Sequence, residues 1–148
     1  MKSNSEPKPH CYIAVFGDPY AAGHVHVEDG AYGHKNLPSD LMPGDMLLLY
    51  CTGTYKKYPR SVPGFGIVSE VAQEFKNFSY DYFPFNVPLP LEFLRFQITG
   101  VDLDKFSNIR FDSYWFFRIS NESFSSVMKG ALLSSKKDTS FHEKLLLE

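Results

Sequence analysis

An unbroken apolar run, Met46-Leu47-Leu48-Leu49-Tyr50, sits between a Pro43-Gly44-Asp45 turn and a polar Cys51-Thr52-Gly53-Thr54 tip. A strand with one wet face alternates apolar and polar positions; this run does not, so it predicts a strand covered on both faces. A second run, Gly64 to Val71, is rich in β-branched residues and opens on Gly64 and Gly66. Glycines at the start of a strand predict a bulge or a close approach of two backbones. The two runs, joined by Tyr55 to Pro63, read as inner strands of a small, tightly curved sheet.

The flanking pattern supplies the rest of a single domain spanning 10–133. Residues 1–9 form a charged, proline-bearing tail expected to be disordered, and 134–148 a polar C-terminal tail. Cys11 to Phe16 predicts the first strand, stopped by Gly17-Asp18-Pro19. The following stretch, through Asn36, is rich in Gly, Ala and His, and reads as a long loop holding a short strand at His24 to Glu28. Leu37 to Met42 suits one helical turn, because Pro38 favours a helix start and Pro43 blocks its continuation. From Phe75 to Val87, Phe78, Tyr80 and Tyr82 would share one face and Phe83 and Phe85 follow on the other. Pro84, Pro88 and Pro90 place this strand at a sheet edge. Leu91 to Ile98 is a further strand candidate, and Asp102 to Asn108 a short helix. Tyr114 to Ile119 is an aromatic strand leading into a helix capped by Ser120 or Asn121. That helix carries Phe124, Val127, Met128 and Ala131 on one face and is closed by Gly130.

Composition sharpens the picture in three ways. Fourteen Phe and nine Tyr raise aromatics to 16% of 148 residues, which suits either a β-rich core or a recess that stacks flat ligands. A net charge of -2 argues against whole-surface attraction to nucleic acid, yet leaves room for a local patch at Lys56, Lys57 and Arg60. Cys11 and Cys51 lack metal spacing and read as reduced thiols of an intracellular protein, with one disulfide as the alternative. The N-terminus has no apolar signal core, and no apolar run approaches the ~18–20 residues of a membrane span. A cytoplasmic chain without membrane contact is expected.

Candidate catalytic chemistry is thin. His24-x-His26 would aim two imidazoles from one strand face, and His34 lies nearby, so a metal-dependent small-molecule enzyme is one alternative. Glu28 comes too early for the usual ligand spacing. Cys51 with Asp45, His10 or His34 is a constellation many chains match by chance. Phosphate-loop, dinucleotide and Gly-x-Ser-x-Gly signatures are missing from the sequence. The expectation is a non-catalytic protein with no cofactor and no metal.

Several local patterns, taken in order, resemble the EVE domain of the PUA-like superfamily. Tyr12 to Pro19 is similar to that family's opening strand with its acidic-Pro end, and Ala31-Tyr32-Gly33-His34-Lys35-Asn36 to its Trp-Asp-Gly-Val-Arg-Asn segment. Leu41 to Gly53 resembles the family's Gly-Asp strand with its Tyr-His-Ser tip, Gly66 to Val71 the Val-Gly-Ile-Ala-Glu-Val strand, and Tyr114 to Met128 the closing strand and helix. Departures are Ile13 and Ala31 at family tryptophan positions, and Cys51-Thr52 in place of His-Ser. The resemblance implies an α+β fold, a PUA-like mixed β pseudo-barrel with short peripheral helices. It also implies a binding module for nucleic acid, DNA or RNA, that inserts a modified base into an aromatic-lined pocket. Carried over, that pocket would comprise Phe16, Tyr32, Gly33, His34, Asn36, Tyr50, Cys51, Thr52 and Trp115. Asn36 and Thr52 would read the base edge, and Lys35, Lys56, Lys57 and Arg60 would hold phosphate. The alternative is a protein-interaction scaffold on the same barrel, in which Phe75 to Phe85 forms a contiguous exposed patch for a protein partner.

Overall fold

The computed structural model describes residues 9–21, 24–97 and 115–132; for Arg95, Phe96 and Trp115 it describes the backbone alone. Among these residues, six strands form one mixed sheet. They are β1 (Cys11–Phe16), β2 (Ala31–Gly33), β3 (Met46–Cys51), β4 (Ser61–Ala72), β5 (Asn77–Pro90) and β6 (Trp115–Ile119), in the spatial order β2-β5-β4-β3-β1-β6. β1 runs parallel to β3, and the other pairings are antiparallel. Two short helices, α1 (Leu91–Gln97) and α2 (121–132), accompany the sheet.

The two uninterrupted apolar strands lie at its centre, and each is buried on both faces. Ile13, Val15, Leu48 and Tyr50 point into one core with Leu94 of α1 and Phe124 and Val127 of α2. Tyr12, Ala14, Phe16, Leu47 and Leu49 point into a second core with Tyr32, Phe78, Tyr80 and Phe116. The second core reveals the curl of the sheet. β2 and β6 are its opposite ends, yet the Tyr32 ring lies 5.9 Å from that of Phe116 and 4.9 Å from that of Phe16. Phe78 of β5 is likewise 5.4 Å from Phe116. The strands therefore wrap into a half-barrel whose lumen is filled with rings.

Turn chemistry fixes how β3 enters. Gly44 adopts φ +97°, a conformation that favours glycine. Asp45 then accepts the His10 N–H on Oδ1 and the Met42 N–H on Oδ2, each at 3.0 Å, tying the start of β1 to the turn. At β4 the expected close approach is found. A Cβ on Gly64 would lie 2.4 Å from the Phe83 carbonyl oxygen, and the β4–β5 register shifts between Val62 and Gly64.

Several expectations are corrected. His24 to Glu28 is not a strand; Val27–Asp29 forms a single 3-10 turn. Leu37 to Met42 holds only turns, one closed by the Leu41 N–H on the Pro38 carbonyl at 3.2 Å. Leu91–Gln97, part of the expected strand Leu91 to Ile98, is helical, because Leu, Glu, Arg and Gln favour helix. Gly130 does not close α2, which runs through residue 132; it makes room for Phe93, whose ring atom lies 2.2 Å from where a Cβ would stand. Ser120 caps α2 as expected, its Oγ accepting the Ser123 N–H at 3.0 Å. β5 is an edge strand only beyond Ser79, since β2 covers Asn77 to Ser79. Phe75 to Phe85 is not a contiguous exposed patch either: Phe75 is 70% exposed, but Phe78 and Tyr80 are core. Asp102 to Asn108 and 134–148 lie outside the described residues. Among the described residues, no helix is long and apolar enough to cross a membrane.

Candidate functional site

Two parts of the β1–β2 connection, at Asp18 to Tyr20 and at His26, and the β3–β4 connection come together at one end of the half-barrel. They enclose a cleft of about 410 Å³ lined by Asp18, Pro19, Tyr20, His26 and Thr54 to Lys57. Each wall has a local cause. Asp18 Oδ1 accepts the Tyr20 N–H at 3.0 Å, folding the Asp-Pro pair into a tight turn that ejects the Tyr20 ring, 85% exposed. The His26 ring meets that tyrosine edge-on with centroids 5.1 Å apart. His26 is set in turn by Asp29, whose Oδ2 accepts the His26 N–H at 2.9 Å.

Tyr55 forms the floor. It is fully buried, its hydroxyl accepts the Val27 N–H at 2.9 Å and donates to Glu28 Oε1 at 3.2 Å, and burial pushes its pKa well up. Glu28 also receives Lys57 Nζ at 2.6 Å. Burial alone would raise the Glu28 carboxyl. The Lys57 hydrogen bond and charge outweigh it, so the net displacement is below the usual carboxylate value. The same bond raises Lys57. Lys56 and Arg60 stand exposed on this connection, and Arg60 takes a left-handed φ of 50° with its side chain against Gly53. The cleft thus offers one exposed ring, one imidazole, hydroxyl and carboxylate edges, and a cationic rim.

The residues chosen from sequence divide into three groups. Phe16, Tyr32, Tyr50, Cys51 and Thr52 are buried, each 1% exposed or less, and none lines the cleft; Tyr32 borders instead the open groove along Ala31, Val71 and Ser79. Tyr32 fills the barrel lumen and donates its hydroxyl to the Val15 carbonyl at 2.9 Å. Opening a slot there would expose rings whose removal costs ~3–5 kcal/mol each, against ~1–3 kcal/mol gained by stacking a base. The core packing wins. Thr52 reads no ligand edge: its backbone carbonyl accepts the Tyr55 and Arg60 N–H groups and its hydroxyl pairs with Thr54 Oγ1 at 2.8 Å. Burial, and secondarily Glu28, drives the Cys51 thiol pKa strongly upward; burial and Asp45 raise that of Cys11 to about 11. Both are free thiols.

Gly33, His34, Lys35 and Asn36 form a second group, away from the cleft. Asn36 is exposed and uses its backbone N–H on His34 Nδ1 at 3.0 Å. The third group is Lys56 and Lys57, which line the cleft, and Arg60, which packs against Gly53 on the same connection. Trp115 pairs with Val15 through its backbone, and its side chain lies outside the described residues. His24, His26 and His34 do not converge: His24 Nδ1 contacts the Asp18 carbonyl at 2.8 Å and His26 lies toward Asp29. Among the described residues no group of three potential metal ligands occurs.

Sequence reasoning missed Tyr20, His26 as a wall, Thr54 and Glu28. The signal for Tyr20 was present, an aromatic residue directly after an Asp-Pro turn.

No protein-family model matches the chain, and no curated protein sequence does. Solved structures do match. A tyrosine-to-phenylalanine variant of ZmASCH from Zymomonas mobilis superposes with a TM-score of 0.53 at 11% identity, over 81% of this chain and 97% of that one. A serine-to-alanine variant of the same protein gives 0.52 at 12% identity, over 84% and 98%. The fold is an ASCH-like, PUA-like α+β pseudo-barrel. The narrower EVE assignment rests on the sequence resemblance alone.

Proposed function

We propose that this chain is a non-catalytic, cytoplasmic nucleic-acid-binding module that takes one unpaired base of DNA or RNA into the cleft between Tyr20, His26 and Lys56. The observation that carries the reading is Tyr20, a tyrosine left 85% exposed and braced edge-on by His26, beside two lysines. A flat ring next to cations is the minimal platform for a base and its phosphate, and it works without sequence preference. The PUA-like fold supports the same reading by analogy. A modified base is the finer form of the proposal, following the EVE resemblance. Thr54, His26 and Asp18 are the side chains that would read the altered edge.

Titration of labelled single-stranded RNA and DNA, each with and without a modified base, tests this. Tyr20→Ala should weaken binding about tenfold, the value of one stacked base, with an unchanged melting temperature. Binding to neither polymer, or binding indifferent to Tyr20, would end it. Equal affinity for modified and unmodified probes would end only the finer claim.

A further inference from the structure

We propose that the strand held in the cleft continues into a second subsite, the recess between the turn after β2 and the tip joining β4 to β5, where Phe75 stacks a neighbouring base and Lys35 and Lys76 hold its phosphates. This rests on the reading above and extends it from a single base to a track along the protein.

The recess, of about 320 Å³, is lined by Val25, His34, Lys35, Phe75 and Lys76 among others, and none of its lining residues is a carboxylate. Its lining residue Val25 directly precedes, in the chain, His26 of the cleft wall. Phe75 is 70% exposed, a large ring left in water on a turn of three residues. That turn is held rigidly. The Lys76 N–H bonds to the Gln73 carbonyl and the His34 N–H to the Lys76 carbonyl, each at 3.1 Å. Lys76 keeps a left-handed φ of 54°, a strained setting for a residue with a side chain, of the sort found where backbone shape serves a site.

The two lysines differ from Lys57. Lys57 is neutralised by Glu28, whereas among the described residues neither Lys35 nor Lys76 has a carboxylate partner. The occupant that fits two unneutralised cations beside an exposed ring is a phosphodiester with its base. The neighbouring groove along Ala31, Val71 and Ser79 carries Glu70 and no cation, so the track ends at the recess.

The test compares a single-stranded trinucleotide, long enough for the cleft alone, with an oligonucleotide of about ten residues. The longer probe should bind the unaltered protein at least tenfold more tightly. Phe75→Ala should remove about tenfold of that gain and leave trinucleotide affinity unchanged. Lys35→Gln with Lys76→Asn, asparagine being tolerated at positive φ, should flatten the salt dependence by about 0.7 log units per lysine. If Tyr20→Ala weakens both probes while the recess variants bind the longer one normally, the second subsite is wrong and the cleft stands. Equal weakening of both probes by Phe75→Ala also overturns a separate subsite. Binding of neither probe to the unaltered protein overturns the cleft reading and this inference together.

Discussion

Lys57 and Glu28 meet at 2.6 Å beside the cleft, so one of the two lysines that line it is held by a carboxylate of the protein itself. A phosphate entering there competes with Glu28 for Lys57. Glu28→Gln keeps an acceptor for the Tyr55 hydroxyl but removes the charge. Nucleic-acid affinity should rise by no more than about fivefold, the modest scale of a solvent-exposed ion pair. The stability effect has a definite sign. Because the folded carboxyl titrates below its unfolded value, the pair contributes above the unfolded value and its contribution is lost as pH falls through the folded one. Melting curves of wild type and Glu28→Gln should therefore differ slightly at neutral pH and converge in acid.

Tyr20 and Tyr32 allow a direct contrast between an exposed and a buried ring. Tyr32→Ala should destabilise the fold by about 3–5 kcal/mol, and Tyr32→Phe by about 1 kcal/mol for the lost bond to the Val15 carbonyl. Tyr20→Ala should leave stability within about 0.5 kcal/mol while weakening nucleic-acid binding. Denaturant titration beside a binding assay separates the two. A stable Tyr32→Ala protein that has lost binding would restore Tyr32 to the site.

That contrast marks where the sequence was legible. The apolar run without alternation identified β3 as doubly covered, a feature of consecutive residues, and the glycines of β4 announced a close backbone approach, though not that β5 makes it. The alternation of Phe78, Tyr80 and Tyr82 was legible for the same reason. What could not be read was closure. Tyr32 becomes core only because β2 and β6, at opposite ends of the sheet, meet across the lumen, and nothing local to Ala31-Tyr32-Gly33 encodes that meeting. A loop aromatic and a lumen aromatic look alike until the curl is known. The cleft proposed as the site draws on the stretches after β1 and β3 but not on Gly33 to Asn36, and it uses Tyr20 rather than Phe16 and Thr54 rather than Thr52. Leu91 to Gln97 failed differently: a seven-residue segment is too short for either periodicity to dominate.

Gly64 and Gly130 both stand where a Cβ would collide, but with different neighbours. At Gly64 the obstacles include the Phe83 carbonyl oxygen at 2.4 Å and the Pro84 Cα at 2.8 Å, backbone atoms of a paired strand. At Gly130 the obstacle is the Phe93 ring, which can rotate away. Gly64→Ala should cost about 3 kcal/mol or more, and Gly130→Ala about 1 kcal/mol, the latter offset in part by alanine's better helix propensity. Chemical denaturation orders the two. Equal losses would mean that α1 is as immovable as the β4–β5 ladder.

Asp45 supplies two acceptors to two backbone donors, the His10 and Met42 N–H groups, from a side chain only 2% exposed. Its own carbonyl also takes the Val68 N–H at 2.8 Å, so one residue links β1, the Pro43-Gly44 turn and β4. Asp45→Ala leaves both donors without their partner and should cost about 2–3 kcal/mol. Asparagine can serve only one of them, because its second terminus is itself a donor and would face the other N–H. Asp45→Asn should therefore recover no more than half of the loss. Full recovery by asparagine would show that charge and one acceptor position are dispensable, and that the backbone turn at Gly44 alone sets the entry of β3.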